Sequence, residues 1–143
     1  MKEKLAIACD RAGIELKDFI INELKEQYDF IDLGTNTQDP VDYPDYAKKV
    51  VNAILNKEVK KGILICGTGI GMSMAANRFK GIRAGLCHNP LEARLTREHN
   101  DANVLCLGAR MIGKELALEN VKVFLTTDFA GGRHLRRIEK LDE

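Results

Sequence analysis

A cysteine followed by closely spaced glycines is the feature of this sequence that most directly suggests chemistry. Cys66 ends an apolar run over 63–65, and residues 67–71 have the sequence Gly-Thr-Gly-Ile-Gly. Glycines in a turn between a strand and a helix let backbone N–H groups converge, because no Cβ atoms obstruct them. Such a turn at a helix N-terminus binds an anion and stabilises a thiolate over a thiol.

A thiolate beside aligned N–H donors has two common uses. It attacks a carbonyl carbon in acyl transfer, or it removes a carbon-bound proton while the N–H groups hold the developing enediolate. The alternative is a structural cysteine at the end of a buried strand. The loop lacks the Gly-Lys-Ser/Thr ending of a P-loop and does not follow the first strand, so a small anion is favoured over a nucleotide.

Two further clusters carry side chains suited to the same chemistry. His99 and Asn100 precede the fifth predicted strand, where we expect a loop that faces the site. Arg133 and Arg137 are spaced by one helical turn, a geometry suited to binding a phosphate, and Arg110 could join them from the end of the fifth strand. Histidine exchanges protons near neutral pH, so His99 is a candidate acid or base.

These residues must be positioned by alternating strands and helices. Short apolar runs predict strands at 5–9, 30–33, 63–66, 82–87 and 104–107. Helical spacing of apolar residues predicts helices within 16–24, 47–55, 90–99, 117–125 and 135–141, with another beginning in or just after the glycine loop. The pattern indicates an α/β protein: a single doubly wound, Rossmann-like three-layer domain over residues 1–143, with a five-stranded parallel sheet. Ligands of such sheets bind at the carboxyl ends of the strands, where Cys66 is expected.

The composition excludes several classes of function. Among 143 residues, 22 basic and 21 acidic side chains give a formal charge of +1, which argues against nucleic-acid and membrane partners. No apolar run is long enough to span a membrane and no signal peptide is recognisable, so we expect a cytoplasmic protein. The spacing of the four cysteines and three histidines fits neither a disulfide framework nor a zinc site, and we predict no metal or cofactor. We expect Cys9, Cys87 and Cys106 to be small buried hydrophobic residues.

Taken together, the motifs resemble those of the ribose-5-phosphate isomerase B family, which also includes allose-6-phosphate isomerases and galactose-6-phosphate isomerase subunits. The resemblance covers nearly the whole chain. The matching segments are Cys9-Asp10, Asp42-Tyr43-Pro44, Cys66-Gly67-Thr68-Gly69-x-Gly71, Ala75-Ala76-Asn77, His99-Asn100-Asp101, Gly108-Ala109-Arg110 and Gly131-Gly132-Arg133-His134.

The resemblance implies a metal-free aldose–ketose isomerisation through a cis-enediolate. Cys66 would be the base that moves the proton between C2 and C1, and His99 would open the sugar ring. Thr68 would bind the enediolate oxygens together with four backbone amides, those of Gly67, Gly69, Ile70 and Gly71. The resemblance also implies a homodimer with the active site at the subunit interface, with a dimer of dimers as the alternative assembly.

The remaining roles also follow from the resemblance. Asp10 and Asn100 would hold sugar hydroxyls, and Tyr43 would line the pocket. Arg110, Arg133 and Arg137 would bind the phosphate, at least one of them across the dimer interface.

Position 11 departs from the family pattern. The family usually has histidine there, and this chain has Arg11. Arginine keeps a positive charge that could meet the phosphate, but it cannot exchange a proton at neutral pH. We therefore expect ring opening to depend on His99 alone.

The leading hypothesis is an isomerase of ribose 5-phosphate and ribulose 5-phosphate. A six-carbon aldose phosphate, such as allose 6-phosphate or galactose 6-phosphate, is the rival substrate. Two hypotheses from different classes of function compete with it: a non-catalytic phosphosugar-binding module, and a cysteine hydrolase with Cys66 as nucleophile. The binding module would not need a base, and the hydrolase leaves the arginines unexplained.

Overall fold

All five strands of the sheet are present and run parallel. The computed structural model describes residues 1–143. The strands are β1 (Glu3–Cys9), β2 (Tyr28–Asp32), β3 (Lys61–Cys66), β4 (Ala84–Leu86) and β5 (Val104–Gly108), in the spatial order β2-β1-β3-β5-β4. The chain moves outward from β1 to β2 and returns to β3 on the other side of β1. The carboxyl ends of β1 and β3 therefore flank the crevice where open α/β sheets bind ligands.

Helices cover both faces of the sheet, which confirms the doubly wound three-layer class. They are α1 (Ile14–Leu24), α2 (Tyr43–Leu55), α3 (Ile70–Ala76), α4 (Pro90–Asn100), α5 (Lys114–Thr126) and α6 (Arg133–Leu141), with a short 3₁₀ helix at Arg11–Gly13. Helices α1, α4 and α5 pack on one face, α2 and α3 pack on the other, and α6 packs against α4. None of these helices has the length and apolar character needed to cross a membrane.

The alternation of side chains along β3 determines which way the thiol points. Ile63 and Ile65 pack into the core beneath α1 and α5, whereas Leu64 and Cys66 pack into the core beneath α2 and α3. Successive residues of a strand face opposite sides of the sheet, and both sides are buried here. The Cys66 side chain therefore lies on the side of α3, the helix that follows it.

The fourth strand is shorter than the predicted span of 82–87. Only Ala84–Leu86 is a strand, because β4 lies at an edge and pairs with β5 alone. The Asn77 side chain takes the place of a neighbouring strand: its Oδ1 accepts the Ala84 N–H at 2.8 Å, and its Nδ2 donates to the Ala84 carbonyl at 3.0 Å. This pairing blocks part of an otherwise open edge.

Candidate active site

Cys66 is the last residue of β3, directly before the glycine loop (residues 67–71). Its side chain is almost fully buried, with 5% exposure. The Gly69 N–H donates a hydrogen bond to the Cys66 Sγ atom at 3.2 Å. An N–H donor of this kind binds an anionic sulfur more strongly than a neutral thiol. The thiol therefore has the backbone donor that the glycine pattern predicted.

The shape of the loop requires glycine at position 69. Gly69 has a φ of +80°, and a Cβ there would lie 2.5 Å from Cδ1 of Leu86 and 2.9 Å from the carbonyl carbon of Leu107. A larger residue is disfavoured by this backbone conformation and by the close approach to β4 and β5. The N–H that reaches Cys66 consequently depends on this glycine.

The turn after β5 packs against the glycine loop. The Ala109 N–H donates to the Cys66 carbonyl at 2.8 Å, and the Arg110 N–H donates to the Gly67 carbonyl at 2.9 Å. The Arg110 side chain lies over Gly67, where a Cβ would be 3.5 Å from its Cδ and 3.6 Å from its Nη1. The positive charge of Arg110 is therefore beside the loop that holds the thiol.

Thr68 lies exposed at the tip of the loop. Its Oγ1 accepts the N–H of Ile70 at 3.2 Å. Two of the four amides predicted to bind the enediolate already have partners: the Gly69 N–H donates to Cys66 Sγ, and the Ile70 N–H donates to Thr68 Oγ1.

Tyr43, the first residue of α2, packs on the other end of the loop. A Cβ at Gly71 would lie 2.6 Å from Cε1 and Cζ of the tyrosine ring. The ring remains 39% exposed. The structure therefore places Tyr43 against the glycine loop.

Asp10 and Arg11 follow β1, on the other side of the crevice. The Asp10 N–H donates to the carbonyl of Ile65 at 3.1 Å, which places Asp10 next to Cys66. Its Oδ1 accepts the N–H of Ala12 at 3.0 Å and so caps the short 3₁₀ helix. Arg11 is exposed at the same edge.

A buried lysine lies at the carboxyl end of β2, and it was not predicted from the sequence. Lys17 of α1 is 0% exposed, and its Nζ donates to both carboxylate oxygens of Asp32 at 2.8 and 2.9 Å and to Oδ1 of Asn36 at 2.6 Å. Asp32 also accepts the N–H of Gly34 at 2.9 Å. This network ties α1 to the end of β2 and to the loop that follows. The feature of the sequence that indicates its burial is the position of Lys17 on the apolar face of α1, next to Leu16.

His99 and Asn100 do not reach the carboxyl edge of the sheet, the end at which the carboxyl ends of the parallel strands lie; the opposite end is the amino edge. The expectation that they occupy a loop facing the site is wrong, because they form the last turn of α4, which runs back toward the amino ends of the strands. The Asn100 carbonyl accepts a hydrogen bond from Nε of Arg83, the residue before β4, at 3.0 Å. β5 starts near this turn and ends opposite Cys66. Because β5 has five residues, it separates the two ends by about 13 Å.

Helix α6 brings the basic residues to the same amino edge. Arg133 and Arg137 are exposed and lie one helical turn apart, as predicted. The rings of His99 and His134 stack with their centroids 4.5 Å apart, which joins α6 to the last turn of α4. The arginines therefore belong with His99 and not with the thiol.

The predicted site thus falls into two clusters within one chain. The carboxyl-edge cluster contains Asp10, Arg11, Tyr43, Cys66, the glycine loop and Arg110. The amino-edge cluster contains His99, Asn100, Arg133 and Arg137. A single chain does not bring the thiol and His99 together.

The other three cysteines lie in the core, as expected. Burial raises the pKa of Cys9 and of Cys87 to about 12 and also raises the pKa of Cys106. These three side chains are therefore neutral thiols at physiological pH. Cys66 differs from them in accepting a hydrogen bond from a backbone N–H.

A surface groove of about 630 Å³ lies between α1 and α5, with Phe19, Ile112 and Lys114 among its lining residues. The Cys66 side chain lies on the opposite face of the sheet. No group of three or more His, Cys, Asp and Glu side chains is arranged to hold a metal ion.

The doubly wound sheet places the thiol, its glycine loop and the adjacent arginine where α/β proteins of this class bind their ligands. A family model described as Ribose/Galactose Isomerase matches residues 5–141. The chain belongs to this family.

Individual relatives match this chain over nearly their whole lengths. The chain is 47% identical to ribose-5-phosphate isomerase B of Escherichia coli, over 97% of this chain and 94% of that protein. The crystal structure of a ribose 5-phosphate isomerase from Thermotoga maritima is similar with a TM-score of 0.97 and 55% identity, covering 99% of both chains. Ribose-5-phosphate isomerase B of Clostridium thermocellum has a TM-score of 0.95 and 48% identity, over 97% of this chain and 95% of that chain.

Proposed function

We propose that this chain is a ribose-5-phosphate isomerase that interconverts ribose 5-phosphate and ribulose 5-phosphate without a metal or cofactor. The observation that carries the proposal is the hydrogen bond from the Gly69 N–H to Cys66 Sγ, at the carboxyl end of a central strand. The choice of substrate is supported by the names of the Escherichia coli and Thermotoga maritima relatives. The proposed compartment is the cytoplasm, as expected from the sequence.

In the proposed reaction, Cys66 acts as the base. Its thiolate removes the proton from C2 of the open-chain aldose, and the electron pair forms the C1–C2 double bond of a cis-enediolate. The thiol returns the proton to C1, while a proton passes from the C2 hydroxyl to the C1 oxygen, so that C2 becomes the ketose carbonyl. Thr68 and the amides of the glycine loop stabilise the charge on the enediolate oxygens. The amides of Gly69 and Ile70 would exchange their present partners for these oxygens.

The substrate would lie between two copies of the chain. Tyr43, Asp10, Arg11 and Arg110 would contact it from the copy that supplies the thiol. The amino-edge cluster of the second copy would supply the rest: His99 exchanges protons to open the ring, Asn100 holds a hydroxyl, and Arg133 and Arg137 bind the phosphate. The separation of the two clusters in one chain supports this division, since both are needed by one substrate.

Exposed apolar side chains next to both clusters support a homodimer. Ile70 and Met74 of α3 are 47% and 61% exposed, Met111 beside Arg110 is 57% exposed, and Leu135 of α6 is 51% exposed. Apolar surface rimmed by polar residues is typical of protein contacts. We therefore propose a dimer in which the carboxyl edge of one copy meets the amino edge of the other, with a dimer of dimers as the larger assembly.

The test is solvent deuterium incorporation, followed by NMR, into ribose 5-phosphate and allose 6-phosphate. We expect wild-type protein to incorporate deuterium and form ketose with ribose 5-phosphate preferentially, and Cys66→Ala to do neither. Cys106→Ser is the matched control, because it changes a buried thiol of the same sheet that has no place in the reaction. Exchange that persists in Cys66→Ala would refute the thiolate base, and faster turnover of allose 6-phosphate would move the assignment to a six-carbon substrate.

A further inference from the structure

His134 has no role in the proposed reaction, yet its ring covers the ring of His99. The two centroids are 4.5 Å apart, and the ring planes differ by 17°. His99 is exposed in the last turn of α4, whereas His134 is half-buried in the first turn of α6. The stack is therefore a tertiary contact between two helices.

The backbone that carries His99 is held firmly. Asp101 ends α4 in the left-handed conformation, with a φ of 44°, and donates its N–H to the carbonyl of Arg97. The Asp101 carboxylate also pairs with the buried Arg97 guanidinium at 2.7 Å. Arg97 Nε donates in turn to the carbonyl of Thr127 at 2.9 Å. The last turn of α4 is thus fixed, and the freedom that remains to His99 is rotation of its side chain.

The segment that carries His134 is anchored on both sides. Before it, the Ala130 N–H donates to the carbonyl of Glu98 at 3.1 Å. Beyond it, Asp142 follows α6 and pairs with Arg83 at 2.8 Å. His134 is therefore presented to His99 from a helix whose two ends are tied to the rest of the amino edge.

We propose that His134 is a positioning residue whose ring holds the His99 imidazole in the orientation that ring opening requires. A flat neighbouring ring restricts rotation of the imidazole, because rotation would break the stack. The contact is made through the ring face and leaves the ring nitrogens of His99 available for proton exchange. This inference rests on the proposed function, since it assigns His134 to the same reaction.

The charges around His134 are compatible with this role. His99 and Glu98 face it from α4, and Arg133 and Arg137 face it from its own helix. The pKa of His134 lies below its ordinary value, because the ring is partly shielded from water and because His99 and both arginines add positive charge. The lowered pKa favours the neutral ring of His134, which adds no positive charge beside His99.

The test compares His134→Phe, which keeps a flat ring, with His134→Ala, which removes it. His88→Ala is the control, because His88 is an exposed histidine just before α4, at the opposite end of that helix from the stack. NMR of the His99 ring protons should show an upfield ring-current shift in wild type and His134→Phe that is absent in His134→Ala. With ribose 5-phosphate, kcat should fall about 3- to 10-fold in His134→Ala, as expected for loss of one aromatic pair, while KM stays within about twofold. His134→Phe should recover most of this loss, and His88→Ala should match wild type.

Each other result has a definite meaning. No ring-current shift in the wild-type protein would overturn the stack itself, whatever the activity. Full kcat in His134→Ala, equal losses in both His134 variants, or a loss that falls on KM would overturn the positioning role alone. A folded wild-type protein that does not isomerise ribose 5-phosphate would overturn the proposed function, and this inference with it.

Discussion

Cys66 and His99 lie at opposite edges of the same parallel sheet, separated by the length of β5. Each is surrounded by groups suited to a sugar phosphate: the glycine loop and Arg110 near the thiol, and two arginines near the histidine. Two groups so far apart cannot act on one small molecule within one chain. The arrangement therefore leads directly to a test of the proposed dimer.

Mixing two inactive variants should restore activity. Cys66→Ala and His99→Ala each remove one group from every site of a homodimer, but a mixed dimer contains one site with both groups intact. With free exchange of subunits, half of the dimers are mixed, and activity should reach about a quarter of the wild-type value. Kinetic assay of the mixture measures this. If mass spectrometry shows subunit exchange but the mixture stays as inactive as its components, the proposal that two copies share each active site is refuted.

Gly69→Ala should damage both the fold and the loop. The methyl group would meet Leu86 and the backbone of Leu107 at a φ of +80°, and we expect a loss of about 1–3 kcal/mol in the free energy of unfolding. Isomerase activity should fall with it, because the Gly69 N–H moves away from Cys66 Sγ. Gly113→Ala is the control: a Cβ there meets nothing within 4 Å, so the change should stay within about 0.5 kcal/mol. Urea unfolding of both variants measures the difference.

Lys17→Met should destabilise the carboxyl edge by leaving Asp32 without its cation. Removing one partner of a fully buried pair costs about 3–5 kcal/mol. The Asp32 side chain is 33% exposed, so water partly replaces the lysine, and we expect about 1–3 kcal/mol. Lys80→Met, at an exposed position, should stay within about 0.5 kcal/mol. Equal unfolding midpoints in urea for the two variants would show that the buried pair contributes no net stability.

Iodoacetamide should modify Cys66 alone in the folded protein. The pKa of Cys9 and of Cys87 is raised to about 12, and the pKa of Cys106 is also raised, so these thiols are protonated from pH 7 to 9. The thiolate is the reactive form. Intact mass spectrometry should show one adduct on wild type, one on Cys106→Ser and none on Cys66→Ser. An adduct on Cys66→Ser would mean that a core thiol becomes accessible.

The lowered pKa of His134 should make stability depend on pH. The unfolded chain takes up this proton near pH 6.5, and the folded protein does so only at lower pH. Stability should therefore be lost as the pH falls below 6.5 and be fully present above it. Urea midpoints between pH 5.5 and 7.5 should fall more steeply toward acid in wild type than in His134→Phe. Parallel curves would show that His134 titrates alike in the folded and unfolded states.

The local pattern of the chain determined most of the fold. β1, β3 and β5 were predictable because strands buried on both faces are continuous apolar runs, and the end of one such run placed Cys66 at the carboxyl end of β3. β4 was predicted too long, because an edge strand is limited by its one neighbour, and the pairing of Asn77 with Ala84 is a tertiary contact.

Only the tertiary structure decided which candidate residues are neighbours. The sequence indicated His99, Arg133 and Arg137 by residue type and spacing, but the direction in which α4 returns to the start of β5 carries them to the far edge from Cys66. The same holds for the burial of Lys17 against Asp32 and for the stack of His134 on His99. Periodicity reports which face of an element is buried, whereas contacts between distant segments depend on how the elements pack.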